Sequence, residues 1–268
     1  LFLLLLTGVG PLIAWRRSSL ESLRRAFFWP TAAGLALAAI LLAAGVRHFY
    51  ALASFGLCVF VTWTIVSEFL KGSFAIRARQ RMNLVRAMVE LTHRNTRRYG
   101  GYVVHMGIVL MFIGFTGAAF NRDSTVEVKV GDHFRIGRYD LAITDLRDGD
   151  NENYTWNQAT VAVYQNGAQI ATLDPARRFY KASRQPNAIV SIRRRLNEDL
   201  YLNFAGMSND NQKAVMQAYV FPLVSWIWIG FWVVMVGSVV CLVPAKQRLD
   251  YPRTQVVAVK GSYAPVEK

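Results

Sequence analysis

The chain has 268 residues, of which 53% are apolar, and a formal net charge of +14. The apolar residues come in long blocks, which is typical of a membrane protein and excludes a soluble globular fold for most of the chain. The charge does not indicate nucleic-acid binding, because it lies in short loops. Residues 121–218 hold 13 Lys/Arg and 12 Asp/Glu, whereas the rest of the chain holds 18 and 5.

Five apolar blocks predict membrane-spanning helices, most of them near the roughly 20 residues that a helix needs to cross the hydrocarbon. They cover residues 1–15, 29–46, 50–70, 101–120 and 220–243. The first block is short and has neither a basic flank nor a cleavage site, so it does not resemble a signal peptide. We expect residue 1 to lie inside a helix and the chain to be the C-terminal part of a longer protein.

The basic residues outside 121–218 predict the orientation. They cluster between the first and second blocks, between the third and fourth, and after the fifth, with Arg47 as the only exception. By the positive-inside rule these regions are cytoplasmic, which puts residues 121–218 on the other side of the membrane. A basic amphipathic segment at about 71–99 is expected to lie in the lipid interface, or its first half to form a solvated loop.

Residues 121–218 predict an all-β domain, because short alternating runs are separated by turn dipeptides. The runs are 125–130, 139–143, 160–164, 188–193, 199–204 and 215–220. Asn166-Gly167 lies between two strand-like runs and predicts a hairpin. Six to eight strands predict a small sandwich or barrel. The predicted domains are therefore 1–120 with four spans, 121–218 with the β-domain, 219–245 with the last span, and 246–268 as a cytoplasmic tail.

His105 is the leading site residue. It stands in an apolar helix seven residues beyond Arg98, about 10 Å beneath the cytoplasmic edge. An ionisable residue at this depth indicates a partner or a bound metal. The alternative is a packed helix residue that donates to a neighbouring carbonyl. Arg97 and Arg98 suit bidentate binding of carboxylates, or serve as positive-inside anchors.

Several other residues favour structural roles. Cys58 and Cys241 lie in apolar spans and form no disulfide or metal motif. Loop or surface positions are expected for His48, His93 and His133. Close helix packing is expected for Gly107, Gly114 and Gly117, and an interfacial belt for Trp226, Trp228 and Trp232. The arginine runs 177–178 and 193–195 either form a solvated face or meet an acidic partner surface.

Three stretches resemble the CcmF family of cytochrome c maturation proteins. Residues 97–107, followed by Gly114 and Gly117, resemble its Arg-Arg-Tyr-Gly-Gly segment with an intramembrane histidine. Residues 173–180 and 198–201 resemble its Pro-x-x-Arg-x-Tyr and Asp-Leu-Tyr elements. Residues 221–230 resemble its Pro-Leu-Val-x-Trp-Ile-Trp-x-Gly segment. NrfE proteins share this layout, so the resemblance covers both.

The resemblance implies a haem lyase in a bacterial inner membrane, with the β-domain in the periplasm. Such proteins take haem from a CcmE-type chaperone and, with CcmH-type partners, attach it by thioether bonds to the Cys-x-x-Cys-His motif of apocytochromes c. The family also carries a haem b in the membrane, and His105 matches one of its axial ligands. The family's tryptophan-rich haem-handling segment and its flanking periplasmic histidines do not occur between residues 1 and 268, so no catalytic residue is assigned.

The second axial ligand is expected from outside this chain, because the predicted topology puts His48 at the opposite face of the membrane. A rival interpretation is a non-catalytic, membrane-anchored assembly module that docks partners through its periplasmic β-domain. A transporter is a weaker alternative, since there is no internal repeat and Glu68 is the only carboxylate near a membrane interior.

Overall fold

The structure is a computed structural model that describes residues 1–10, 20–208 and 213–244. These ranges contain six α-helices and ten β-strands, with a 3-10 turn at Ala118–Phe120. The helices are α1 (Phe2–Val9), α2 (Leu20–Ala43), α3 (Phe49–Gln80), α4 (Leu84–Arg94), α5 (Thr96–Gly117) and α6 (Ser225–Leu242).

Four of the described helices are long and apolar enough to cross a membrane, where the sequence predicted about five spans. The candidate spans are Ala26–Ala43, Phe49–Gln80, Thr96–Phe120 and Ser225–Leu242. In the predicted first span, 1–15, α1 has only eight residues and rises about 12 Å. Residues 11–15 lie outside the described part, as does the predicted tail 246–268.

The predicted basic segment, 71–99, divides between three helices. Its first part continues α3 as far as Gln80, and Arg81 ends that helix in the left-handed conformation, with φ 50°. The middle part forms α4, which buries Ala87 and Leu91. A Cβ atom on Gly72 would meet Leu91 Cδ2 at 2.7 Å, so α4 packs against α3. Packing between helices therefore determines the conformation of this segment. Its first half is helical and is not a loop.

The strands form a β-sandwich between α5 and α6. They are β1 (Arg122–Val128), β2 (His133–Ile136), β3 (Tyr139–Asp150), β4 (Tyr154–Gln165), β5 (Ala168–Leu173), β6 (Ala176–Tyr180), β7 (Gln185–Ile189), β8 (Ser191–Arg193), β9 (Glu198–Met207) and β10 (Ala214–Pro222). One sheet has the order β1-β10-β9-β8, and the other has the order β2-β3-β4-β6-β7, with β5 also paired to β4. Alternating side chains such as Leu141, Val161, Leu202 and Met216 are fully buried between the sheets.

The predicted fold class is confirmed: a helical membrane protein with a β-domain inserted before the last helix. All six predicted strands overlap observed strands, although 188–193 divides between β7 and β8. Asn166 and Gly167 have φ 53° and 80° and join the paired residues Gln165 and Ala168, which confirms the hairpin.

The junction between the sandwich and the last helix lies later than predicted. The strand β10 continues to Pro222. Near the end of this strand, Val220 is buried and pairs with Arg122 of β1. The helix α6 begins only at Ser225. Residues 220–222 are apolar because they complete the sandwich, and an apolar run alone does not distinguish a buried strand from the start of a helix.

Polar contacts fix this junction. The indole Nε1 of Trp226 donates to the carbonyl of Leu196 at 3.0 Å. The carboxylate of Asp199, only 2% exposed, accepts from the Arg195 backbone N–H at 2.9 Å and from Ser225 Oγ at 3.3 Å. The sandwich is therefore tied to the first turn of α6 by side chains as well as by the chain itself.

Glycines bring α5 and α6 into backbone contact, as the sequence predicted for Gly107, Gly114 and Gly117. A Cβ atom on Gly107 would lie 2.8 Å from the carbonyl oxygen of Gly230, and one on Gly230 would lie 2.6 Å from the carbonyl oxygen of Gly107. Gly237 makes the same kind of approach to Gly100. In lipid, where burial of apolar surface gives little driving force, small residues at such a seam permit close van der Waals packing.

We expect Gly107→Leu to destabilise the protein by about 3 kcal/mol, because its side chain would displace the backbone of α6. Thermal unfolding of the purified protein in detergent measures this. Gly101→Leu is the matched control, since Gly101 lies on the same helix with no neighbour within 4 Å of its Cβ position. Equal melting temperatures for the two variants would contradict the close packing of α5 against α6 at these glycines, which we call the glycine seam.

Candidate functional site

His105 lies on the side of α5 that packs toward α3. Residues 98, 102, 105, 109 and 112 follow one stripe of the helix at the i, i+3, i+4 spacing. On this stripe Arg98 pairs with Glu68 of α3, Tyr102 contacts the ring of Phe69, and the carbonyl of Val109 accepts from Cys58 Sγ at 3.8 Å. The glycine seam faces α6 instead, so it fixes the rotation of α5 that directs His105 away from α6.

The ring of His105 has no hydrogen-bond partner among the described residues. Its side chain is half-buried, and the Nδ1 atom is fully buried without a partner. The described structure therefore does not support the alternative in which His105 donates to a neighbouring carbonyl. Most buried polar atoms in proteins are paired, so an orphaned nitrogen inside a membrane helix indicates a missing ligand or partner.

Arg98 is held by its neighbours in the first turn of α5, at the end that the sequence predicts to be cytoplasmic. Its Nη2 donates to Glu68 Oε2 at 2.9 Å and its Nε donates to the Tyr102 hydroxyl at 3.0 Å. The guanidinium also lies 5.7 Å from the ring centroids of Tyr99 and Tyr102. Glu68 is shared with Lys71, whose Nζ lies 3.2 Å from Oε1. This network joins α3 to α5 within two turns of His105.

Arg97 differs from Arg98 although it is the adjacent residue. Its side chain is exposed and has no ion-pair partner in the part of the chain that the structure describes. Only its backbone carbonyl is engaged, by Cys241 Sγ of α6 at 3.7 Å. The two arginines of the predicted site therefore differ in availability: one is committed to a carboxylate and the other is free to meet one.

The other three histidines lie away from His105. His48 precedes α3 and makes an edge contact with the ring of Phe120, with centroids 5.9 Å apart. Phe120 follows His105 by fifteen residues, which corresponds to about 22 Å along the helix. His93 is exposed near the end of α4, and His133 lies in β2 with Nδ1 3.5 Å from Asp140 Oδ1. None of these residues completes a site with His105 within the described chain.

The described residues contain no group of three or more His, Cys, Asp or Glu side chains that could hold a metal ion. A group held at His105 would therefore draw a single ligand from this part of the described chain. Sequence reasoning missed the roles of Glu68 and Tyr102. For Tyr102 a signal was available, because residues four apart on a helix face each other and Tyr102 follows Arg98 by four. For Glu68 there was none, because it lies 30 residues from Arg98 along the chain.

Residues 119–222 match the family model described as the CcmF C-terminal β-sandwich. The chain is 28% identical over 264 residues to the cytochrome c-type biogenesis protein CcmF of Haemophilus influenzae, which covers 92% of this chain and 37% of that protein. It is 30% identical to CycK of Rhizobium meliloti, covering 91% of this chain and 36% of the relative. The probable NrfE of Escherichia coli matches over a shorter stretch, 54% of this chain, at 28% identity.

A solved structure titled cytochrome c haem lyase CcmF shares the fold. It superposes with a TM-score of 0.70 and 21% identity, over 90% of this chain and 38% of the other. The chain thus spans less than two fifths of the length of the relatives it matches. It is a membrane protein whose β-sandwich is that of the CcmF C-terminal family, and over 92% of its length it is similar to a cytochrome c-type biogenesis protein CcmF.

Proposed function

We propose that this chain is part of a cytochrome c haem lyase and that His105 would hold a haem b in the membrane through its imidazole. The observation that carries the proposal is the buried, unpartnered Nδ1 of His105 within an otherwise apolar helix. Imidazole suits the role because it is a neutral nitrogen donor to haem iron. A second ligand to that haem would come from outside this chain.

The basic residues at the end of α5 fit the carboxylates of such a haem. Arg97 is the better candidate for a propionate, because it is exposed and unpaired within the described residues. Arg98 lies on the same stripe as His105, but its guanidinium is bonded to Glu68 and Tyr102. Its main role is to hold α5 against α3 and so to fix the position of the stripe.

A haem bound here would supply electron transfer that keeps the iron of the delivered haem reduced. His105 would bind and orient that group on the α3-facing side of α5. The thiols that form the thioether bonds belong to the Cys-x-x-Cys-His motif of the apocytochrome, so the described chain needs no nucleophile of its own. A CcmE-type chaperone, a CcmH-type protein and the apocytochrome are the proposed partners.

The β-domain is proposed to face the periplasm. The turn between α2 and α3 lies at the same end of the helices as the sandwich, since His48 contacts Phe120. The opposite end carries the basic residues of α4 and of the starts of α2 and α5. The positive-inside rule places that end in the cytoplasm.

Replacing His105 with alanine in the complete protein, expressed with its maturation partners, should abolish the b-type absorption band. The substitution removes the only imidazole on the α3-facing stripe of α5. The visible spectrum of the purified, reduced protein measures this. His48→Ala is the control and should keep the band, because His48 lies at the other end of the helices. An unchanged spectrum in the His105 variant would remove the assignment.

Replacing Arg97 with glutamine should lower the midpoint potential of the membrane haem, because an uncompensated propionate stabilises the ferric iron. A potentiometric titration of the b-type band measures the shift. Arg86→Gln removes the same charge from an exposed position on α4 and should leave the potential unchanged. Equal potentials in both variants would assign Arg97 to anchoring alone.

A cysteine placed at Gly167, in the turn between β4 and β5, should react with a membrane-impermeant maleimide added to intact cells. A cysteine at the exposed His93 of α4 should react only after the inner membrane is permeabilised. Both variants are made with Cys58 and Cys241 replaced by serine. The reverse labelling pattern would place the β-domain in the cytoplasm.

A further inference from the structure

The charges of the β-sandwich are unevenly distributed along its sequence. Residues 121–174 hold five Lys/Arg and nine Asp/Glu, whereas residues 175–197 hold seven Lys/Arg and no acidic residue. The second stretch contains β6, β7 and β8. A nearly neutral domain therefore presents one strongly basic region.

The basic stretch folds onto one edge of the sandwich. Strand β7 ends one sheet and pairs only with β6, and strand β8 ends the other and pairs only with β9, within the described residues. The chain passes from one sheet to the other between Ile189 and Ser191. Two open strand edges thus lie on the same side of the domain, and we call residues 176–195 the basic edge.

Most charges of the basic edge are not neutralised by the described chain. Lys181 has a carboxylate partner, Asp150, at 2.6 Å. No ion pair with a described residue is formed by Arg177, Arg178, Arg184, Arg193, Arg194 or Arg195. Elsewhere in the domain, by contrast, Arg135, Arg138 and Arg147 each lie within 4 Å of a carboxylate.

Apolar side chains are exposed on or beside the same edge. Phe179 is 45% exposed, Val190 44% and Leu196 60%. The guanidinium of Arg178 lies 4.7 Å from the ring centroid of Tyr154, which contacts Tyr180. The buried Nη1 of Arg193 has no hydrogen-bond partner. Interleaved cations, exposed apolar groups and open strand edges are features of a polypeptide-binding surface.

The edge extends away from the membrane. Arg193 pairs with Leu200 near the start of β9, close to the junction with α6, whereas the side chain of Arg177 bonds to the carbonyl of Ala205. Five residues of strand separate the two contacts, about 16 Å. A flat lipid surface would reach only the near end, so the length of the edge favours a polypeptide.

We propose that the basic edge binds an acidic segment of a partner polypeptide, which lies extended along β7 and β8. Charge complementarity would steer the approach of this segment, and the exposed Phe179, Val190 and Leu196 would anchor it. The inference goes beyond the proposed haem function and does not depend on it, because the edge belongs wholly to the β-domain.

The test uses the full chain in nanodiscs of neutral phosphatidylcholine, without haem, and a fluorescent peptide of alternating glutamate and valine. Fluorescence anisotropy should show saturable binding that weakens as the salt concentration is raised. The triple variant Arg184→Gln, Arg194→Gln, Arg195→Gln should bind about tenfold more weakly, from three exposed charge contacts. The control Arg47→Gln, Arg122→Gln, Arg147→Gln removes the same charge elsewhere and should bind like the unmodified chain.

Three results would overturn the proposal: no measurable binding by the unmodified chain, equal weakening in both triple variants, or undiminished binding by the edge variant. A fourth would replace it with a lipid site. In that case the nanodiscs would associate with phosphatidylglycerol vesicles through the three edge arginines and would not bind the peptide. Circular dichroism establishes that each variant is folded before binding is compared.

Discussion

The backbone contact between α5 and α6 is the constraint on which the other features depend. Gly107 and Gly230 place each helix against the carbonyl groups of the other, with no room for a Cβ atom. His105 precedes Gly107 by two residues and therefore points about 200° away around the helix. The same seam ends at Gly117, where a Cβ atom would overlap the carbonyl of Pro222. One row of small residues thus sets both the direction of the histidine and the attachment of the sandwich.

The second interface of α5, toward α3, is closed by polar pairs near both ends. Ser54 and Thr116 share a hydrogen bond of 2.6 Å at the end near the sandwich, and Glu68 bonds to Arg98 at the other. His105 lies between these pairs and remains unpartnered at Nδ1. Leaving a buried polar atom unsatisfied costs about 1–3 kcal/mol. Within the described structure, Nδ1 of His105 is the only buried side-chain polar atom of α5 without a partner, and this supports the proposal that a ligand uses it.

The β-domain is joined to this membrane region by more than a linker. Strands β1 and β10 are neighbours in one sheet, and they connect directly to α5 and α6. Asp199 and Trp226 then bond the start of α6 to the loop that follows β8. The basic edge therefore stands in a fixed position relative to α5 and His105. A partner held on that edge would be presented to the membrane region in a defined orientation.

The sequence alone determined the features that depend on local patterns. The lengths of the apolar blocks predicted the long helices, and the alternation of apolar and polar residues predicted the strands. Asn166-Gly167 predicted the hairpin, and the isolation of His105 in an apolar block marked it as a site residue. These patterns are local because backbone geometry sets their periods of 3.6 and 2 residues.

The tertiary structure decided whatever depends on contacts between distant segments. Glu68 became the partner of Arg98 across 30 residues, residues 220–222 joined the sandwich instead of the last helix, and the arginine runs at 177–178 and 193–195 met at one edge. Neither composition nor periodicity encodes these outcomes, since each follows from which surfaces fit together when helices and sheets pack.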